Sequence, residues 1–79
     1  MAQVSVRYWA GARAAAGTDE EPIVAGSTSD VVAELTGRGG ELARVVALSS
    51  LLVDGRVVRD SVDLTDGQVV EVLPPFAGG

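Results

Sequence analysis

The chain has 79 residues, a length that allows one domain with a small core and leaves no room for a large internal catalytic cleft. Its composition is 47% apolar but only 4% aromatic, and its fourteen Val residues favour a sheet and argue against disorder. Cys and His are both absent, which excludes disulfides, thiolate nucleophiles, Cys/His metal sites and His-based acid–base catalysis. The net charge is −5 and all six basic residues are Arg, a balance that disfavours nucleic acid and suits a protein partner with a basic groove.

The N-terminal residues of the sequence do not predict a targeting signal. Residues 1–5 have neither the basic region nor the apolar run of a signal peptide. No apolar stretch of the sequence approaches the length of a membrane span. We therefore expect a cytoplasmic protein that does not interact with membranes.

The first strand is predicted from alternation of apolar and polar side chains over residues 4–9. Its core face carries the apolar set Val4, Val6 and Tyr8. The small residues 10–17 that follow predict a loop, because Gly11 and Gly17 interrupt any helical pattern.

A second strand and two helices are predicted next. Residues 21–25 form the strand, and Pro22 near its start indicates an edge position. The segment Ser27–Asp30 predicts the start of the main helix, with either Ser27, by a capping-box spacing to Asp30, or Thr28 as its N-cap, and the Gly-rich residues 37–40 end it. Residues 41–48 predict a second, shorter helix.

A hairpin and a last strand complete the chain. Asp54-Gly55 between two apolar runs is the strongest hairpin signal in the sequence. The last strand covers residues 69–73, with Val70 and Val72 on its core face. Pro74-Pro75 ends it, because proline cannot donate to a strand ladder.

This order of elements predicts an α+β domain. A mixed sheet of about five strands is covered on one face by one main helix and a short second helix. If the first and last strands lie side by side they run parallel, which is the β-grasp arrangement of ubiquitin. We place the β-grasp domain at residues 1–74 and a flexible C-terminal diglycine tail at residues 75–79.

Nucleotide and metal sites are not predicted. The Gly-rich residues 37–40 follow a helix rather than a strand, and no Lys is present to serve a phosphate loop. The acidic residues at 19–21 and at 60, 63 and 66 lack the spacing of a calcium loop. We expect solvated turns there, and neither a bound metal nor a bound cofactor.

The C-terminal tail is the candidate reactive site. Gly78-Gly79 can thread a narrow channel and leaves the terminal carbonyl carbon unhindered, because glycine has no Cβ. The ionised carboxylate of Gly79 is a poor electrophile, so a partner that uses ATP must first convert it to an acyl adenylate. Five extended residues from Pro75 reach about 17 Å, and Phe76 and Ala77 supply contacts that hold the register of the tail in the channel.

The ending Glu71-Val72-Leu73-Pro74-Pro75-Phe76-Ala77-Gly78-Gly79 resembles that of the small subunit of molybdopterin synthase. Arg13, followed by Gly17-Thr18, and the hairpin Val53-Asp54-Gly55 strengthen the resemblance, which covers essentially the whole chain. Much of the pattern is shared with the wider sulfur-carrier family, which includes the thiamine carrier. This sequence departs from the family pattern at two positions. It has Gln68 where an acid is common and Asp54 where Asn is common.

The resemblance implies a ubiquitin-like sulfur carrier without catalysis of its own. An adenylating enzyme similar to ubiquitin E1 would activate Gly79 with ATP, and a sulfurtransferase or other persulfide donor would supply sulfur to form a thiocarboxylate. The tail would then enter the active site of a larger synthase subunit, where the sulfur would pass to a cyclic pyranopterin precursor.

The strand faces also predict a docking surface. With the core face assigned as above, Arg7 and Glu71 become neighbours on the outer face, and Trp9 and Leu73 lie beside the root of the tail. We expect these four residues and Arg13 to bind partner proteins.

Three alternatives remain open from the sequence. The chain could carry sulfur for thiamine, cysteine or a sulfur-containing natural product. It could be a covalent protein modifier joined to lysine through Gly79. It could also be an interaction module with an inert tail.

Overall fold

The computed structural model describes residues 1–75. They form five strands and three helices, whose bounds are β1 Ala2–Tyr8, α1 Ala10–Ala16, β2 Glu20–Ala25, α2 Thr28–Gly37, α3 Gly40–Leu48, β3 Ser50–Val53, β4 Arg56–Val58 and β5 Val69–Leu73. None of these helices has the length and apolarity that crossing a bilayer requires.

The strands form one mixed sheet in the order β2-β1-β5-β3-β4. β1 and β5 run parallel in the centre, with Val6 opposite Val70 and Tyr8 opposite Val72, while the other neighbouring strands are antiparallel. This is the predicted β-grasp arrangement, and the prediction is confirmed. Pro22 lies on the edge strand β2, where its missing N–H costs no ladder hydrogen bond.

The helices cover one face of the sheet and bury its core side chains. Val6, Val70 and Val72 are 0% exposed, and Val31 and Leu35 of α2 are equally buried against them. Ser27 caps α2, because its hydroxyl oxygen accepts a hydrogen bond from the Asp30 backbone N–H at 3.2 Å. The predicted core faces and the predicted start of the main helix are therefore confirmed.

The prediction of a loop at residues 10–17 was wrong, because Ala10–Ala16 forms α1. Alanine has the highest helix propensity, and it outweighs the single interior glycine, Gly11. Gly17 ends the helix in the left-handed region with φ 76°, where its N–H donates to the Arg13 carbonyl oxygen at 2.9 Å. The side chains of this helix that contact the core are alanines, of which Ala12 is fully buried, and alanines also occupy its exposed positions, so no apolar stripe stands out in the sequence.

The turn of the β3–β4 hairpin is hydrogen-bonded to the start of β5. Asp54 and Gly55 have φ values of 49° and 84°, as the predicted tight two-residue turn requires. The Asp54 carboxylate accepts from the Val69 N–H and from the Gln68 side-chain amide, both at 3.0 Å. Both hydrogen bonds hold the pKa of Asp54 below its usual value, and the bond from Val69 has the larger effect.

A polar network ties β1, β2 and α2 together. The buried Tyr8 hydroxyl donates to Glu21 Oε2 at 2.6 Å, and Arg38 donates to both Glu21 oxygens at 2.8 and 3.0 Å. The Arg38 hydrogen bonds hold the pKa of Glu21 below 4.5. Burial raises the pKa of the Tyr8 hydroxyl, and its hydrogen bond to Glu21 raises it further.

We predict that Glu21→Gln lowers the free energy of unfolding at pH 7 by about 1 to 3 kcal/mol, because Tyr8 and Arg38 lose their ionised acceptor. The folded-state pKa of Glu21 lies below 4.5, so its contribution is complete above pH 4.5 and is lost as the pH falls below that value. Denaturant unfolding between pH 3 and pH 7 should show a weaker pH dependence for this variant than for the wild type. Glu34→Gln is the control, because Glu34 lies 3.7 Å from Arg38 and is more exposed; an equal loss in both variants would contradict the prediction.

Candidate docking surface at the C-terminal end of the last strand

The outer face of the sheet carries the predicted partner-binding residues. Arg7 lies directly opposite Glu71 in the register of β1 and β5. The backbone N–H of Trp9 donates to the Val72 carbonyl oxygen at 3.2 Å and so extends the parallel ladder by one residue. This hydrogen bond brings Trp9 to the end of β5, close to the half-buried Leu73. The structure therefore places four of the five predicted residues on the β1–β5 strand pair or directly after it.

Trp9 and Glu71 interact directly. The Trp9 side-chain Nε1 donates to Glu71 Oε2 at 2.9 Å, and Trp9 remains 39% exposed. Trp9 is also the N-terminal cap of α1, and the left-handed φ of 47° at Ala10 turns the chain sharply after it. The indole is therefore held over the outer face while one of its sides stays open to a partner.

Arg7 and Arg13 pair with acids of the β2 side rather than with Glu71. Arg7 Nε lies 3.4 Å from Glu20 Oε2, and Arg13 Nε lies 3.1 Å from Asp19 Oδ1. Both Arg side chains and Trp9 line a shallow depression of about 190 Å³. Arg13 thus borders the same surface from α1, the element that the sequence analysis did not predict.

Two further apolar residues extend the surface away from the predicted set. Leu52 of β3 lies opposite Glu71, and Val57 of β4 lies opposite Leu52. Leu52 is half-buried and Val57 is 54% exposed. The period-two pattern of the hairpin could have identified both, once its core face was assigned to Leu51 and Val53.

The predicted tail lies almost entirely outside the described residues. Pro74 is half-buried and Pro75 is exposed where they follow β5. The predictions for Phe76, Ala77, Gly78 and Gly79 concern residues that the structure does not describe. Within residues 1–75, no three acidic side chains converge on a possible metal site.

The sheet order, the covering helices and the exposed end of the last strand define a ubiquitin-like β-grasp protein. The chain belongs to the ThiS family, whose model matches residues 6–79. This match confirms the family resemblance inferred from the tail and hairpin motifs. Comparison with curated protein sequences finds no match.

Similar solved structures carry names from two functional classes. A putative molybdopterin converting factor subunit 1 from Pyrococcus furiosus is 32% identical, with a TM-score of 0.83 over 95% of this chain and 99% of that one. Small archaeal modifier protein 1 from Methanosarcina acetivorans is 29% identical, with a TM-score of 0.85 over 100% of this chain and 98% of that one. A complex of subunits 1 and 2 of molybdopterin-converting factor from Helicobacter pylori contains a chain that is 22% identical, with a TM-score of 0.78 over 98% of this chain and 99% of that one, which shows the fold alone.

We predict that Trp9→Ala and Leu73→Ala each weaken binding to a partner protein that docks on this face by more than about 1 kcal/mol, the threshold for hot-spot residues. Val70→Ala should instead lower stability by about 2 kcal/mol or more, because it leaves a cavity in the core. Titration calorimetry and denaturant unfolding of the three variants separate the two effects. Similar losses of stability in all three would contradict the assignment of Trp9 and Leu73 to a docking surface.

Proposed function

We propose that this protein is a sulfur carrier and the small, sulfur-donating subunit of molybdopterin synthase. The observation that carries the proposal is the position of the Trp9–Glu71 surface beside the end of β5, from which the chain continues to the Gly78-Gly79 motif. Its family membership and its 32% identity to a putative molybdopterin converting factor subunit 1 support the same reading.

The proposed chemistry takes place on Gly79. Its carboxylate oxygen attacks the α-phosphate of ATP on an adenylating enzyme similar to ubiquitin E1, and pyrophosphate leaves. A persulfide from a sulfurtransferase then attacks the acyl carbon and displaces AMP. A second thiol cleaves the resulting sulfur–sulfur bond, which leaves a thiocarboxylate on the carrier. Because this activation consumes ATP, the proposal implies a cytoplasmic protein.

This chain would act as a donor and not as a catalyst. It has no Cys, His or Lys to activate a nucleophile or to transfer protons near neutral pH. The catalytic groups for sulfur insertion would belong to the larger synthase subunit. The tail beyond Pro75 would carry the thiocarboxylate into that subunit, where sulfur passes to the cyclic pyranopterin precursor.

A covalent protein modifier is the second candidate. The observation in its favour is the similarity to small archaeal modifier protein 1, at 29% identity and over the full length of this chain. Both candidates require adenylation of Gly79, and they differ in what attacks the acyl group. In a modifier, the attacking atom is the amine nitrogen of a target lysine.

Intact mass spectrometry after incubation with ATP, the adenylating enzyme and a sulfur source distinguishes the candidates. Replacement of one oxygen by one sulfur supports the carrier. Conjugates to target proteins that appear as larger species support the modifier, and an unchanged mass contradicts both. Transfer from the thiocarboxylate to a pyranopterin, rather than to a thiamine precursor, cysteine or a natural product, identifies the acceptor.

We predict that deletion of Gly79 abolishes thiocarboxylate formation and leaves the unfolding midpoint unchanged. The folded core is complete by Leu73, and Pro74-Pro75 ends the ladder. Mass spectrometry and thermal unfolding of the truncated protein provide the two measurements. A truncated chain that still gains sulfur would rule out the proposed attachment site.

We also predict that Gly78→Val slows sulfur transfer from a preformed thiocarboxylate far more than Ala77→Gly does. A branched side chain beside the reacting carbonyl would collide with the wall of a narrow channel, whereas the loss of a methyl group would not. Single-turnover transfer to the synthase measures both variants. Normal rates for Gly78→Val would contradict the narrow-channel explanation of the diglycine.

A further inference from the structure

On the outer sheet face, Glu71 lies between Arg7 of β1 and a group of apolar side chains. Across the sheet it faces Leu52 of β3, and along β5 it has Val69 and Leu73 two residues away on the same face. These three aliphatic side chains are half-buried. A protein that docks on Trp9 and Leu73 therefore also removes water from the Glu71 carboxylate.

Residues 1–75 supply only part of the hydrogen bonds and counter-charge that the Glu71 carboxylate can accept. The neutral Trp9 Nε1 is the one hydrogen-bond donor that residues 1–75 direct at it. Arg7 lies directly across the ladder on β1, yet its ion pair is formed with Glu20 of the edge strand. Since an ionised carboxylate can accept about four hydrogen bonds, most of the capacity of Glu71 is left for water or for a partner.

We propose that the larger synthase subunit places an arginine against Glu71, and that this ion pair selects the cognate partner. The inference rests on the proposed function, because it takes that subunit as the occupant of the outer face. A guanidinium can form two parallel hydrogen bonds to a carboxylate and can stack on an aromatic ring, so Glu71 and Trp9 together match its two binding modes. The net charge of −5 adds a long-range attraction for a basic surface.

Selection follows from the cost of leaving Glu71 unpaired. A partner with only apolar residues at this point would cover an ionised carboxylate without a counter-charge, which opposes binding. A related synthase subunit that lacks the arginine is therefore rejected even if its shape fits. The apolar side chains of Leu52, Val69 and Leu73 supply affinity, and Glu71 supplies the discrimination between partners.

The test measures the affinity of the wild type, Glu71→Gln and Glu71→Lys for the larger synthase subunit encoded in the same genome. We expect a loss of about tenfold for Gln and about a hundredfold or more for Lys, together with a weaker salt dependence for Glu71→Gln. Glu41→Gln and Glu41→Lys are the controls matched in charge, because Glu41 is an exposed acid of α3, on the opposite face of the sheet, and is paired with Arg44; they should change affinity by less than about threefold. Thermal unfolding confirms that each variant is folded.

Mutation of the larger subunit tests directly whether an arginine of that subunit pairs with Glu71. One Arg→Glu change among the surface arginines of the larger subunit should restore the binding of Glu71→Lys. Wild-type affinity for Glu71→Gln, or tighter binding by Glu71→Ala, would overturn the inference and show that the contact is purely apolar. Sulfur loading, measured by intact mass, is independent of these affinities, so it can remain positive and support the carrier function when the inference about Glu71 fails.

Discussion

The parallel pairing of β1 with β5 is the constraint on which the rest of the molecule depends. It joins the first and last strands at the centre of the sheet, where Val6 and Val70 face the same core. Contacts between segments so distant in sequence carry a large loop-closure cost, which extensive burial of β-branched side chains offsets. The same pairing sets Trp9 beside the end of β5. Both the stability of the fold and the position of the docking surface therefore follow from one strand pair.

Most of the fold could be predicted because its signals are local. Alternating Val residues identified the core faces of β1 and β5, and Asp54-Gly55 identified the hairpin, since few residues adopt two successive positive φ angles. The helix α1 was missed for a physical reason. Its contact with the core is made by Ala12, Ala15 and Ala16, and these positions cannot be recognised in the sequence because alanine also occupies exposed positions of the same helix.

The side-chain partners on the outer face were harder to predict. The strand order correctly made Arg7 and Glu71 neighbours, but β2 offers Arg7 a second carboxylate, Glu20, on its other side. Strand pattern alone does not decide between two acids that both lie opposite Arg7 in the register. The bond from Trp9 to Glu71 depends on the turn at Ala10, and the sequence gives no sign of its positive φ. In contrast, Asp54 and Gln68 were two separate departures in the sequence analysis, and the structure joins them by a hydrogen bond from the Gln68 amide to the Asp54 carboxylate.

The indole of Trp9 gives the protein an internal optical probe. It is the only tryptophan in the sequence, it is 39% exposed, and its N–H is bonded to an acidic side chain beside the root of the tail. Indole emission responds to the polarity and charge around the ring. A protein that covers this surface, or an arginine that approaches Glu71, therefore changes the emission spectrum of the unlabelled protein. Binding of the two proposed partners, an adenylating enzyme and a larger synthase subunit, could then be followed in real time, and each complex would be distinguished by the environment that it gives to the same ring.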